Sequence, residues 1–147
     1  MKAQKANKLV YGIFFSILVV SMMSFSTACA QKVTFLNSSV VPAAKGSVKV
    51  KQDKNENYLI KVEIEDLAEV ERLQSSKQTY VVWMETDRGN TENLGQLVSS
   101  KSFFSKQKTA SLETVSSFKP VKIFVTAEEG INVQYPGDQI ILTTDNF

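Results

Sequence analysis

The chain has 147 residues, one cysteine and no histidine. Without histidine, the commonest general base, the serine–histidine–acid triad and every histidine-containing zinc site are excluded. The formal charge of +2 is misleading, because the residues after position 30 hold fourteen bases and fifteen acids. A domain so close to neutrality lacks the basic footprint of a nucleic-acid binder.

Residues 1–30 read as a signal peptide. Lys2, Lys5 and Lys8 precede a mostly apolar run over residues 9–25, and small residues follow it, which is the pattern of an exported chain. Gly12, Ser16, Ser21 and Ser24 interrupt the run, so a retained membrane helix is the lesser reading. Two cleavages compete within "STACAQ". Cutting after Ala30 obeys the small-x-small rule and starts the mature chain at Gln31. Thr27-Ala28-Cys29 also resembles a bacterial lipoprotein signal, with Ser26 where leucine usually stands; cleavage before Cys29 would leave that residue carrying a lipid. Neither outcome leaves a free thiol, so no disulfide, thiol catalysis or thiolate metal site is expected. The expected location is the periplasm or an envelope anchor, with membrane contact only through a lipid on Cys29.

Residues 31–147 form one domain, long enough to bury roughly two thirds of the surface of its unfolded chain. Their dominant pattern is alternation with a period of two, which on a strand sends successive side chains to opposite faces. Val48 and Val50 stand between lysines, Ile60, Val62 and Ile64 are separated by Lys61 and Glu63, and Val121, Ile123, Val125 and Ala127 share one face of a later run. Turn chemistry separates the runs. Residues 53–57 and 87–90 each join two of them as a hairpin, and Pro136-Gly137 suits a type II turn. Eight candidate strands result, over residues 32–36, 47–51, 58–65, 79–86, 93–98, 109–115, 121–127 and 139–144. The fold expected is therefore all-β, an immunoglobulin-like antiparallel β-sandwich of seven or eight strands. Leu67, Val70 and Leu73 recur at spacing three, which fits either a short helical turn at the sandwich edge or an irregular crossover. Ser99-Ser100-Lys101-Ser102 is polar enough for a mobile loop.

No constellation of catalytic residues emerges. The serines lie outside nucleophile motifs, and glycine-rich phosphate loops are missing, with Gly89 in a turn and Gly95 in a strand. Glu63, Glu65, Asp66, Glu69 and Glu71 cluster, and Glu128 adjoins Glu129. An acid–base pair is possible on composition, but such acids more often line a solvated face. Asp53, Asn55 and Asn57 have the spacing that opens a calcium loop, yet the following glycine is missing and Ile64 stands in place of the bidentate glutamate. A plain hairpin turn is the better reading.

Aromatic residues are more informative. Tyr80-Val81-Val82-Trp83-Met84 is apolar throughout, so both faces of that strand should be covered and Trp83 should be a core pillar. Tyr80, Leu94, Leu97, Ile123 and Val125 are expected in the core beside it. Phe103 and Phe104 are adjacent, so on a strand one ring faces solvent and marks a contact surface, unless a loop folds both inward. Tyr135, beside Pro136-Gly137, is a further candidate contact at a loop tip.

The stretches "YVVWMETD", "NLGQL" and "IFVTAEEG…YPGDQIIL" together resemble the extracytoplasmic C-terminal domain of anti-sigma-K-type regulators, and also small exported bacterial proteins of unknown function. The matching positions are Tyr80, Trp83, Leu94, Gly95, Leu97, Val125, Thr126, Glu128, Gly130 and Pro136. The resemblance implies a similar fold and an envelope location, and it carries no catalytic residues. Sigma-factor sequestration does not transfer, since only eight residues precede the apolar run. The function expected is a non-enzymatic envelope module, without cofactor or nucleic-acid partner, that binds a protein or glycan. The alternatives are a small-ligand carrier of the periplasm and a carboxylate-based hydrolase.

Overall fold

Alternation of apolar and polar residues builds most of the long strands of the domain, and an apolar run over residues 80–84 builds another. The computed structural model describes residues 30–73, 77–101 and 108–147. Cys29, Phe103 and Phe104 lie outside the described residues, as does the rest of the leader up to that cysteine. The strands are β1 (Gln31–Thr34), β2 (Lys45–Gln52), β3 (Tyr58–Glu65), β4 (Thr79–Thr86), β5 (Thr91–Gln96), β6 (Val98–Lys101), β7 (Lys108–Ser116), β8 (Pro120–Glu128) and β9 (Ile140–Thr143). They form two antiparallel sheets, ordered β1-β2-β3-β7-β6 and β5-β4-β8-β9. With β1 set aside, successive strand pairs switch sheets at β3–β4, β5–β6 and β7–β8, which is the connectivity of an immunoglobulin-like sandwich.

The core lies between the layers. Val48 and Val50 of β2, Ile60, Val62 and Ile64 of β3, Val82 and Met84 of β4, and Ile123, Val125 and Ala127 of β8 form one buried cluster. Their period of two follows directly from the pleat, since a one-residue slip would turn each set to the other face of its sheet. Phe35 forms a bridge to Thr144, and Leu36 donates its N–H to the Thr143 carbonyl. The chain after β1 thus crosses from the first sheet to the edge of the second.

Two local features differ from the sequence reading. The single strand expected over residues 93–98 is two strands, because the chain changes sheets at the buried Leu97, whose N–H reaches the Tyr80 carbonyl. Ser99 and Lys101 therefore belong to β6, paired with β7, rather than to a mobile loop; short polar strands of this kind suit a sheet edge. Gly137 does not adopt the left-handed φ that a type II turn requires, since the positive-φ glycines are Gly89 and Gly95. The crossover between β3 and β4 contains a 3₁₀ turn at Val70–Arg72, with Leu67 and Val70 buried. Tyr80 Oη ties this crossover to the core by donating to the Ala68 carbonyl at 3.0 Å.

Candidate functional site

The centre of the outer face of the second sheet is dry. Alternation along β4 sends Val82 and Met84 inward, so Val81 and Trp83 must point outward, where they form a second buried cluster with Phe124 of β8. Trp83 is 0% exposed. Its ring stacks on Phe124 with centroids 6.4 Å apart and planes at 15°, an offset arrangement favourable beyond the area it buries. The indole N–H must find an acceptor in such a place, and it donates to Thr126 Oγ1 at 2.8 Å. Thr126 donates in turn to Glu128 Oε1 at 2.5 Å, and the same oxygen accepts the Gly137 N–H at 2.7 Å. A buried polar chain therefore runs from Trp83 to a carboxylate only 4% exposed.

The cover over this face is the segment joining β8 to β9, residues 129–139. Its ends attach to β8 and β9, yet the Ile131 and Val133 carbonyls accept hydrogen bonds from Asn93 Nδ2 of β5, at 3.1 and 3.0 Å. Since β5 lies beyond β4 in the sheet, the segment has to cross β4, and Val133 packs on the Trp83 cluster. Asn93 can do this because β5 bulges there: Val82 pairs with Gly95 and Trp83 with Asn93, leaving Leu94 as the extra residue. Gly95 takes φ +122° to make the bulge, and its N–H is held by Asn93 Oδ1 at 2.9 Å. Gly137 lets the segment come close to Glu128. A Cβ there would meet the Glu128 carboxylate oxygens at 3.0 and 3.2 Å.

A segment pinned at Ile131, Val133 and Gly137 carries Tyr135 between its anchors, and Tyr135 is 81% exposed. Ile131 and Ile140 at the two ends are about half exposed. Of the contact residues expected from the sequence, Tyr135 stands in solvent, while Phe103 and Phe104 lie outside the described residues. Tyr80, Leu97, Ile123 and Val125 are buried between the sheets, and Leu94 is partly buried against them. Trp83 is buried too, but under the 129–139 cover rather than between the layers. Asn93, Thr126 and Glu128 organise the site; Thr126 and Glu128 stand among the positions of the resemblance, whereas no pattern in the sequence singles out Asn93.

The other acids are dispersed. Glu63 pairs with Lys61 at 3.1 Å and Lys49 at 3.5 Å on the outer face of the first sheet. The Lys61 hydrogen bond, and then the charges of Lys49 and Lys61, hold its carboxyl below the usual glutamate range. In the 53–57 turn, desolvation pushes the Asp53 carboxyl up, but hydrogen bonds from the Asn57 and Asn55 N–H groups and the Asn57 amide outweigh it, so the carboxyl is held low. Its oxygens are thus engaged by its own loop, with Asn55 N–H at 2.7 Å and Asn57 N–H at 2.9 Å. An open groove of about 180 Å³ lies where the 53–57, 87–90 and 117–119 turns meet, lined by Glu56, Tyr58, Asp87 and Lys119 among others. Arg88 occupies the Phe118 face there, 5.6 Å from the ring centroid. Among the described residues no three His, Cys, Asp or Glu side chains gather as a metal site, and no helix is long and apolar enough to cross a membrane. Comparison of the chain with protein-family models, curated proteins and solved structures finds no match.

Proposed function

We propose that the chain is a non-enzymatic β-sandwich module of the cell envelope, binding a protein or glycan partner through residues 129–139. The observation that carries this reading is Tyr135, 81% exposed on a segment fixed on either side of it by Asn93 and Glu128. An aromatic side chain presented by a pre-ordered backbone binds without the cost of ordering a loop. The partly exposed Ile131 and Ile140 favour a protein partner, whose interface core is apolar and aromatic. The fold by itself implies no function. The signal-peptide pattern and the resemblance to anti-sigma-K-type extracytoplasmic domains support the envelope location.

Two experiments test the two halves. Immobilised wild-type and Tyr135→Ser proteins are compared for what they retain from envelope extracts of the native host. A component held by the wild type and lost from the variant is expected, and identical retention overturns the reading. For location, the intact mass of the native protein should correspond either to a chain starting at Gln31 or to one starting at an acylated Cys29. A mass that retains the uncleaved leader contradicts export by cleavage.

A further inference from the structure

The open groove where three turns meet lies outside the partner-binding segment and holds charges of both signs. Residues 53–57 bring Glu56 to it, residues 87–90 bring Asp87 and Arg88, and residues 117–119 bring Phe118 and Lys119. Each turn is held by a side chain. Asp53 Oδ1 accepts the Asn57 N–H at 2.9 Å, the buried Thr86 Oγ1 accepts the Asn90 N–H at 3.1 Å, and the buried Ser116 Oγ accepts the Phe118 N–H at 3.0 Å. The turns are also tied to one another, since the Asp87 N–H donates to the Lys119 carbonyl at 3.1 Å and Ser117 Oγ donates to Asn57 Oδ1 at 3.3 Å. A ligand entering a groove with so ordered a backbone has little loop entropy to overcome. The charges nevertheless stay apart. Among the described residues, none of Glu56, Asp87, Arg88 and Lys119 takes part in an ion pair. Arg88 rests on the Phe118 ring instead, a placement that keeps the planar guanidinium fork ready for a carboxylate. Tyr58 Oη accepts from Gln52 Nε2 at 3.2 Å, so its own proton is left for a ligand oxygen. Glu56 takes φ 64°, in the left-handed region where asparagine or glycine sits at lower cost. A residue costly to the turn thus supplies the groove with an acid.

We infer that this groove binds a small zwitterion, an α-amino acid, with its carboxylate on Arg88, Lys119 and the Tyr58 hydroxyl and its ammonium group on Asp87 and Glu56. The charges select the class. An anion alone would meet two carboxylates, and a cation alone would meet two bases. A sugar ring lacks an open aromatic face to stack on, because Arg88 covers Phe118. Size narrows the choice further. At about 180 Å³ the groove is smaller than the roughly 300–1,000 Å³ that holds a drug-sized ligand, which suits one amino acid and not a peptide. The inference goes beyond partner binding by residues 129–139 and does not rest on it, since none of those residues lines the groove.

The test uses the isotope-labelled chain from Gln31 onward, which contains both sheets and the whole core, read by its backbone amide NMR signals. The α-amino acids with uncharged side chains are titrated into it one at a time, each as the racemate. At least one should saturate with a Kd below about 1 mM, moving the signals of Glu56, Arg88 and Lys119 and leaving those of residues 131–135 in place. Its N-acetyl derivative lacks the ammonium group and its amide lacks the carboxylate, so each should bind at least about tenfold more weakly. Asp87→Asn and Arg88→Gln should each weaken binding by a similar factor. Glu56→Asn should weaken it too while melting no lower than the wild type, because asparagine tolerates left-handed backbone; this separates loss of the ligand from loss of the fold. The inference is overturned if no amino acid moves the groove signals, if the acetyl or amide derivative binds as well as its parent, if glucose moves the same signals as strongly, or if Asp87→Asn and Arg88→Gln retain wild-type affinity. Tyr135→Ser should leave amino-acid binding intact, so this site and the partner-binding segment are read separately.

Discussion

The outer faces of the two sheets start from similar strands and end as opposites. On the first, Lys49, Lys61 and Glu63 alternate with core residues and keep their charges in water. On the second, the positions that alternate with the core hold Trp83, Phe124, Thr126 and Glu128, and residues 129–139 close over them. The difference teaches that a polar residue out of phase with the core is not thereby a wet one. Its surroundings decide. Lys61 has water and an exposed glutamate beside it, whereas Thr126 and Glu128 sit beside two stacked rings and are satisfied by one another, by the indole and by a backbone N–H.

The contrast can be broken most sharply at Trp83. Trp83→Ala should cost about 3–5 kcal/mol in urea unfolding, whereas Lys49→Ala on the other face should stay within about 0.5 kcal/mol. Similar losses at both sites would mean that the two faces are equally open. Asn93→Ala comes next, at about 1–2 kcal/mol, since it removes three exposed hydrogen bonds, to the Ile131 and Val133 carbonyls and from the Gly95 N–H. Limited proteolysis should then cut within residues 131–136 earlier than in the wild type; an unchanged cleavage pattern would show that Asn93 is not the clamp.

A smaller effect separates two glycines of the cover. Gly137→Ala pushes a methyl group toward the Glu128 carboxylate and should cost about 1 kcal/mol, while a Cβ at Gly130 meets nothing within 4 Å and Gly130→Ala should melt with the wild type. Least in size is the acid limb. Asp53 and Glu63 both have folded-state values below their ordinary 3.8 and 4.5. Their interactions therefore stabilise the fold above those ordinary values, and this is lost as pH falls through the lowered ones. Asp53→Asn with Glu63→Gln should flatten stability against pH below about 4, and an unaltered acid limb would deny both carboxylates a role.

Much of the architecture was legible in the residues because alternation reports the side that packs. Ile60, Val62 and Ile64, like Ile123 and Val125, read as core and are core. The unbroken apolar run from Tyr80 to Met84 also announced a strand covered on both faces. The identity of the cover was not legible, since Val133 and Asn93 act across the sheet from residues 40 positions apart, and no local pattern encodes that meeting. Gly137 illustrates the limit: beside Pro136 it suggests a turn, and only the position of Glu128 reveals that a Cβ there would press on the carboxylate. Likewise the split of β5 from β6 depends on Leu97 passing between layers, which the apolar pair Leu97-Val98 does not disclose, since it reads equally well as the end of one strand.

The covered face carries the account, and Trp83 reports on it directly as the only tryptophan in the chain. In the folded protein its emission should be blue-shifted and almost untouched by acrylamide, becoming red-shifted and quenchable only on unfolding. A red-shifted, freely quenched Trp83 in protein that still shows a folded β spectrum would mean that residues 129–139 do not close over the sheet.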